Sequence, residues 1–153
     1  MIAWRAAKST DDEAIVAMYE ALYEEDPGPE PASIERVRQT LARFGDHPDS
    51  GRSVVLETEG RCVGYAFLVP FWSNELGGEI CVVDEIYVQP RWRGQGYATS
   101  LIRSLSTASE LWPGQPVALE LEITPTNARA RALYERLGFS AKRNTTMRLL
   151  SRK

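Results

Sequence analysis

The chain has 153 residues, 43% hydrophobic, 25% charged and 9% aromatic, a composition and length that fit one domain spanning residues 1–153. A formal net charge of −3 argues against nucleic acid as the main partner, and no apolar run approaches the ~20 residues that a membrane-spanning helix needs. The N-terminal "MIAWRAAKSTDDEA" has neither the long apolar core nor the small-residue cleavage site of a secretion signal, so a cytoplasmic protein is expected.

"IAWRAA" reads as a short strand. In "STDDEAIVAMYEALYEE", Thr10 stands three residues before Glu13 as in a capping box, and Ile15, Met18 and Leu22 follow at helical spacing. The stretch from Tyr19 to Pro31 carries Glu20, Glu24, Glu25, Asp26 and Glu30 with no basic side chain, and "DPGPEP" breaks the helix. "SIERVRQTLARF" resumes one, with Ile34, Val37, Leu41 and Phe44 on one face and Gly45 at its end. "SVVLETEGRCVGYAFLVPFW" reads as two strands around a Glu59-Gly60 turn, and "GGEICVVDEIYV" as a third, more apolar strand.

Beyond the turn that follows, Tyr97, Leu101, Leu105 and Ala108 repeat at helical spacing until Trp112-Pro113-Gly114. "VALELEI" is then expected as a strand, "TPTNARARALYERLGF" as a helix closed by Gly138, and "AKRNTTMRLL" as a last strand. Strands 80–88 and 117–123 are joined through a helix, which calls for a parallel crossover, whereas the earlier hairpin is antiparallel. The expected fold class is therefore α/β, an α+β mixed sheet, mostly antiparallel, with helices on both faces.

Two cysteines, Cys62 and Cys81, lie in separate strands without CxxC spacing, and His47 is the one histidine, so they read as reduced core thiols and no metal site is expected. The turn in "VQPRWRGQGYATSLI", residues 88–102, is more informative. A strand that enters a glycine turn and then a helix aims unpaired N–H groups and the positive helix end at one spot, which suits a phosphate. Gly94 and Gly96 let a ligand approach the backbone, and Arg91 and Arg93 add cationic donors at the rim. On its own the stretch is equally compatible with a plain turn bearing solvated arginines. "GQGYAT" lacks the third glycine of a dinucleotide fingerprint and the Lys-Ser or Lys-Thr of a P-loop.

Taken with "NARARALYERLGF", residues 127–139, "VQPRWRGQGYA" resembles the GNAT superfamily of acyl-CoA-dependent N-acetyltransferases. The motif positions are Arg91, Gly94 and Gly96, then Asn127, Tyr134 and Gly138-Phe139. The resemblance implies acetyl-CoA as cosubstrate. Backbone N–H groups across Arg93, Gly94, Gln95, Gly96, Tyr97 and Ala98 would hold its pyrophosphate, with Tyr87 and Thr99 flanking it. It further implies that strands 80–88 and 117–123 splay to admit the pantetheine arm, that the Ile86 N–H polarises the acetyl carbonyl as an oxyanion donor, and that the Val88 N–H and Asn127 bond the arm. Tyr134 would be the general acid at the sulfur.

For the base the order of expectation is Glu85, Asp84, Glu122, with only one of the adjacent Asp84 and Glu85 facing the acceptor because strand residues alternate. Substrate choice in the family resides in the first helices and the hairpin. Here that region holds Tyr19, Tyr23, Glu24, Glu25, Asp26, Phe71 and Trp72, aromatic and acidic groups that suit a small cationic amine. "FWSNELGGEICVVDEIYVQPRWRGQGYA" looks, more loosely, like the diamine and polyamine acetyltransferase branch. A protein or peptide N-acetyltransferase and a non-catalytic acyl-CoA-binding module are the alternatives, and a homodimer is compatible with the family.

Overall fold

The computed structural model describes residues 1–151. In chain order it contains β1 (Ile2–Ala6), α1 (Asp12–Glu25), α2 (Ile34–Asp46), β2 (Arg52–Thr58), β3 (Arg61–Ser73), β4 (Gly78–Val88), α3 (Tyr97–Ser106), β5 (Ala118–Leu121) and α4 (Ala128–Arg136). The strands form one sheet in the order β1-β2-β3-β4-β5, antiparallel up to β4 and parallel between β4 and β5. The expected single domain and mixed sheet are thus present. The crossover through α3 is what permits the parallel pair.

Strand alternation divides the core into two layers. Val54, Ala66, Leu68, Cys81 and Val83 point to one face, where Leu101, Ile102 and Leu105 of α3 and Tyr134 of α4 cover them. Their neighbours Val55, Tyr65, Phe67 and Tyr87 point to the other, beneath Ile15, Val16, Met18 and Tyr19 of α1 and Val37 of α2. Each helix meets the sheet with its apolar stripe, so burial of that stripe, about 25 cal/mol per Å² of apolar area, holds the layers together.

Several boundaries differ from the sequence reading. At the start of α1 the Asp11 carboxylate, and not a Thr10–Glu13 capping box, accepts the Lys8 N–H at 2.7 Å, because Asp11 is turned inward toward Arg5. The α2 N-cap is Ser33, whose Oγ accepts the Arg36 N–H at 3.2 Å. α3 stops at Ser106, and β5 is four residues long. The expected last strand is absent: residues 140–151 are exposed and pair with no strand, leaving the outer edge of β5 without a strand partner among the described residues. An alternating pattern makes a strand only where a partner offers hydrogen bonds.

The most consequential irregularity lies in β4. Leu68 is opposite Val83 and Phe67 is opposite Glu85, so Asp84 is an extra residue, a β-bulge. It breaks the period of two: Val83 faces α3, whereas Glu85, paired with Phe67, faces α1.

Candidate active site

β4 and β5 pair only from Ile80–Ala118 to Val83–Leu121. β4 continues to Val88 along its β3 side alone, so the strands part beyond Val83. The Gln89 N–H bonds the Val63 carbonyl at 2.9 Å, toward β3, and by alternation the N–H groups of Ile86 and Val88 face the gap.

At the end of the gap the chain turns through Gly94 and Gly96, with φ of 75° and 87°. Both are in the left-handed region that favours glycine, and a Cβ at either would meet nothing within 4 Å, so backbone conformation rather than packing calls for glycine here. Gly96 is the N-cap of α3 and no side chain caps the helix. The first intrahelical bond runs from Ser100 N–H to Gly96 C=O at 2.9 Å, which leaves the N–H groups of Tyr97, Ala98 and Thr99 free to bind an anion.

These residues line a cleft of about 280 Å³ that includes Ile86, Tyr87, Val88, Trp92, Arg93, Gly94, Asn127, Ala130 and Tyr134. Donor set and shape fit the coenzyme's pyrophosphate and arm: a run of uncapped N–H groups at one end, a narrow unpaired strand edge along the side. Among the described residues no group of three His, Cys, Asp or Glu is placed to hold a metal ion.

Two side chains expected at the coenzyme site, Arg93 and Asn127, have their polar atoms engaged within the protein. Arg93 donates from Nε to the Val88 carbonyl at 2.7 Å and grips Glu25 with both terminal nitrogens at 2.5 and 2.8 Å, its guanidinium 5.3 Å from the Tyr87 ring centroid. Asn127 is the N-cap of α4, accepting the Ala130 N–H at 3.1 Å, while its Nδ2 donates to Asp26 at 3.2 Å. Thr124 donates to the other Asp26 oxygen at 2.8 Å. Glu25 and Asp26, at the end of α1, therefore tie that helix to both walls of the cleft. Arg91 is exposed and lies 5.4 Å from the Trp92 ring centroid, and Gln95 bonds the Arg91 carbonyl at 3.3 Å.

A second cavity, about 460 Å³, adjoins the first and is lined by Tyr23, Asp26, Gly28, Asp84, Glu85, Glu122, Thr124 and Tyr134 among others. Asp84 and Glu85 both line it, contrary to the expectation of one, because the bulge suspends alternation at this point. Glu85 accepts a hydrogen bond on each oxygen, from Tyr23 and from Tyr65, both at 2.8 Å. Among the described residues no Lys or Arg forms an ion pair with Asp84, Glu85 or Glu122, although Glu120, on β5, takes Lys142 at 3.3 Å. Burial raises the Glu85 carboxyl above its ordinary range against the lowering effect of the two phenols; Asp84 is exposed, and partial desolvation in the cavity with the Glu122 charge raises it.

Tyr134 is shared by the two cavities. It is 6% exposed, its ring packs edge-on to Phe139 at 5.6 Å, and burial raises its phenol, which keeps the proton in place at neutral pH. Other expected substrate contacts lie elsewhere. Tyr19 is core: it stacks on Tyr23 at 4.5 Å and its hydroxyl accepts the Ser33 N–H. Glu24 is exposed outside both cavities, as are Phe71 and Trp72 near the β3–β4 turn. Tyr65 escaped the sequence reading, since a tyrosine in an apolar strand carries no local signal of the carboxylate it meets 20 positions away.

Solved structures of the same fold include a possible acetyltransferase from Clostridium difficile 630, with a TM-score of 0.78 at 18% identity over 99% of both chains. A ribosomal-protein-alanine N-acetyltransferase from Brucella melitensis biovar Abortus 2308 gives 0.73 at 20% identity, covering 98% of this chain and 100% of that one. A predicted acetyltransferase with acetyl-CoA from Clostridium acetobutylicum gives 0.73 at 15%, covering 97% and 96%. No curated protein matches the sequence. These likenesses show that the chain shares their fold. Residues 15–139 match the model of the acetyltransferase (GNAT) family, and the chain belongs to that family.

Proposed function

We propose that the protein is an N-acetyltransferase that moves the acetyl group of acetyl-CoA to a primary amine of a small cationic acceptor by direct attack on the thioester. The observation that carries this reading is the meeting of two cavities at Tyr134, one ending in an uncapped helix N-terminus and the other lined by four carboxylates, Asp26, Asp84, Glu85 and Glu122, and by no cation. An ammonium entering the second cavity gains the field of Asp84, Glu85 and Glu122, which offsets its loss of water.

In the bound state the cosubstrate supplies an activated thioester. Glu85 accepts the proton of the amine, which frees the nitrogen lone pair for attack. The Ile86 N–H, on the open edge of β4, offers a hydrogen bond where negative charge gathers on the carbonyl oxygen. Tyr134 delivers its proton to the departing sulfur and regains one from the acylated nitrogen, so the new C–N bond forms, the C–S bond breaks, the thiol leaves neutral and the amide nitrogen loses its extra proton. Arg93 and Asn127 act through the backbone they brace, the loop and the α4 N-terminus, since their own donors are engaged.

The test is thiol release from acetyl-CoA across a panel of polyamines, amino acids, aminoglycosides and N-terminal peptides. Saturable release with a small polyamine supports the reading. Release with peptides alone replaces the acceptor class, and acetyl-CoA binding without release from any amine favours a binding module. Tyr134→Phe is expected to lower kcat by about 10²-fold with acetyl-CoA affinity unchanged by calorimetry.

A further inference from the structure

Glu85 is held from two separate elements. Tyr23 reaches it from α1, 62 positions earlier, and Tyr65 from the neighbouring strand β3. The direction of both bonds follows from chemistry: an ionised carboxylate only accepts, so each phenol gives its one proton to a different oxygen. Tyr65 is fully buried among Phe67 and Tyr87, and its hydroxyl points out of that apolar cluster to Glu85. Tyr23 is half-buried and lines the acceptor cavity beside Glu85, so one phenol stands behind the carboxylate and the other at its side. A carboxylate has about four acceptor positions. The phenols occupy two, leaving one on each oxygen for an acceptor amine.

We propose that Tyr23 and Tyr65 are positioning residues that keep Glu85 ionised and aimed into the acceptor cavity, and so set the pH above which the protein turns over. The inference rests on Glu85 being the base. The groups around Glu85 are Tyr23 and Asp26 from α1 and its end, with Tyr19 stacked behind Tyr23, Tyr65 from β3, Asp84 from β4, Glu122 past the end of β5, and Tyr134 from α4. None is a cation, so the two hydroxyls are the protein's support for the charge. Burial and Asp84 both oppose ionisation, and the two phenols are what works against them. The bulge at Asp84 is the structural prerequisite, because without it Glu85 would face α3 and meet neither phenol.

The experiment is the pH dependence of kcat/KM for the protein and for Glu85→Gln, Tyr23→Phe, Tyr65→Phe and the double Tyr23→Phe/Tyr65→Phe, with the acceptor that the amine panel identifies. Wild type is expected to lose activity on the acidic side as Glu85 takes a proton. Each phenylalanine removes a donor that favours the anion, so that limb moves to higher pH by about one unit, and further in the double variant. KM for acetyl-CoA stays at the wild-type value, and Glu85→Gln has no such limb. Limbs that coincide with wild type in every phenylalanine variant, with the limb still absent in Glu85→Gln, overturn the positioning role and leave Glu85 as base. A wild-type limb in Glu85→Gln overturns the base and with it this inference. Acetyl-CoA binding by calorimetry reports folding of each variant, and Tyr23→Phe, at the cavity wall, carries the test if Tyr65→Phe does not fold.

Discussion

Two carboxylates on the α1 side of the sheet are treated in opposite ways. Asp11, 7% exposed at the α1 entrance, accepts both terminal nitrogens of Arg5 at 2.8 and 3.0 Å, the Lys8 N–H at 2.7 Å and the Cys62 thiol at 3.3 Å. Arg5 in turn pairs with Glu57. The Arg5 guanidinium pulls the Asp11 carboxyl down from 3.8 to about 2. Glu85 meets two phenols and no cation, and its carboxyl is pushed up. Where a charge serves the fold, the chain neutralises it locally. In the cavity no cation of the protein does so among the described residues.

Neutralising each carboxylate separates the two roles most sharply. Glu85→Gln is expected to cut kcat by about 10²–10⁴-fold while the unfolding midpoint holds or rises, since it deletes an ionised group that burial disfavours. Asp11→Asn is expected to do the reverse. It leaves Arg5 with Glu57 as its remaining carboxylate partner and costs about 1–3 kcal/mol of stability, with turnover per folded molecule unchanged. Denaturant unfolding and steady-state kinetics on both variants check the pair.

The signs with pH follow the same division. Asp11 binds its proton less readily folded than unfolded, so its contribution is fully present above 3.8 and is lost as pH falls toward about 2. Glu85, raised in the folded state, costs stability while ionised and ceases to do so as it protonates. The stability gap between wild type and Asp11→Asn is therefore expected to narrow across that acidic window in urea titrations.

Smaller effects test how the cleft is assembled. Gly94→Val places a β-branched residue at a φ of 75°, a strain of about 1–2 kcal/mol confined to an exposed loop, and turns the free N–H groups out of line. Acetyl-CoA affinity should fall at least about tenfold by calorimetry with the fold retained. Glu25→Gln loosens an ion pair whose carboxylate is 47% exposed, so less than about 1 kcal/mol of stability is at stake. Its expected signature is a small rise in KM for acetyl-CoA, because Arg93 loses the brace that links α1 to the glycine loop.

Local chemistry made much of this legible. Helices α1 to α4 announce themselves by apolar spacing, β2–β3 by a turn at Glu59-Gly60 with φ of 49° and 75°, and the turn into α3 by two glycines between a strand and a helix. Element order and the crossover then follow from connectivity. The partners of side chains are another matter, since they join residues far apart in sequence.

By itself, the sequence determined the order of elements, the parallel β4–β5 pair, the glycine turn and the pool of candidate acids and bases, all consequences of spacing and backbone conformation within a few residues. Only the tertiary structure decided that a bulge carries both Asp84 and Glu85 into one cavity, that Tyr65 stands behind Glu85, that Asn127 and Arg93 brace the cleft through Asp26 and Glu25, and that the C-terminal run pairs with no strand. Those outcomes depend on pairing register and on contacts up to 101 positions apart, which no local pattern encodes.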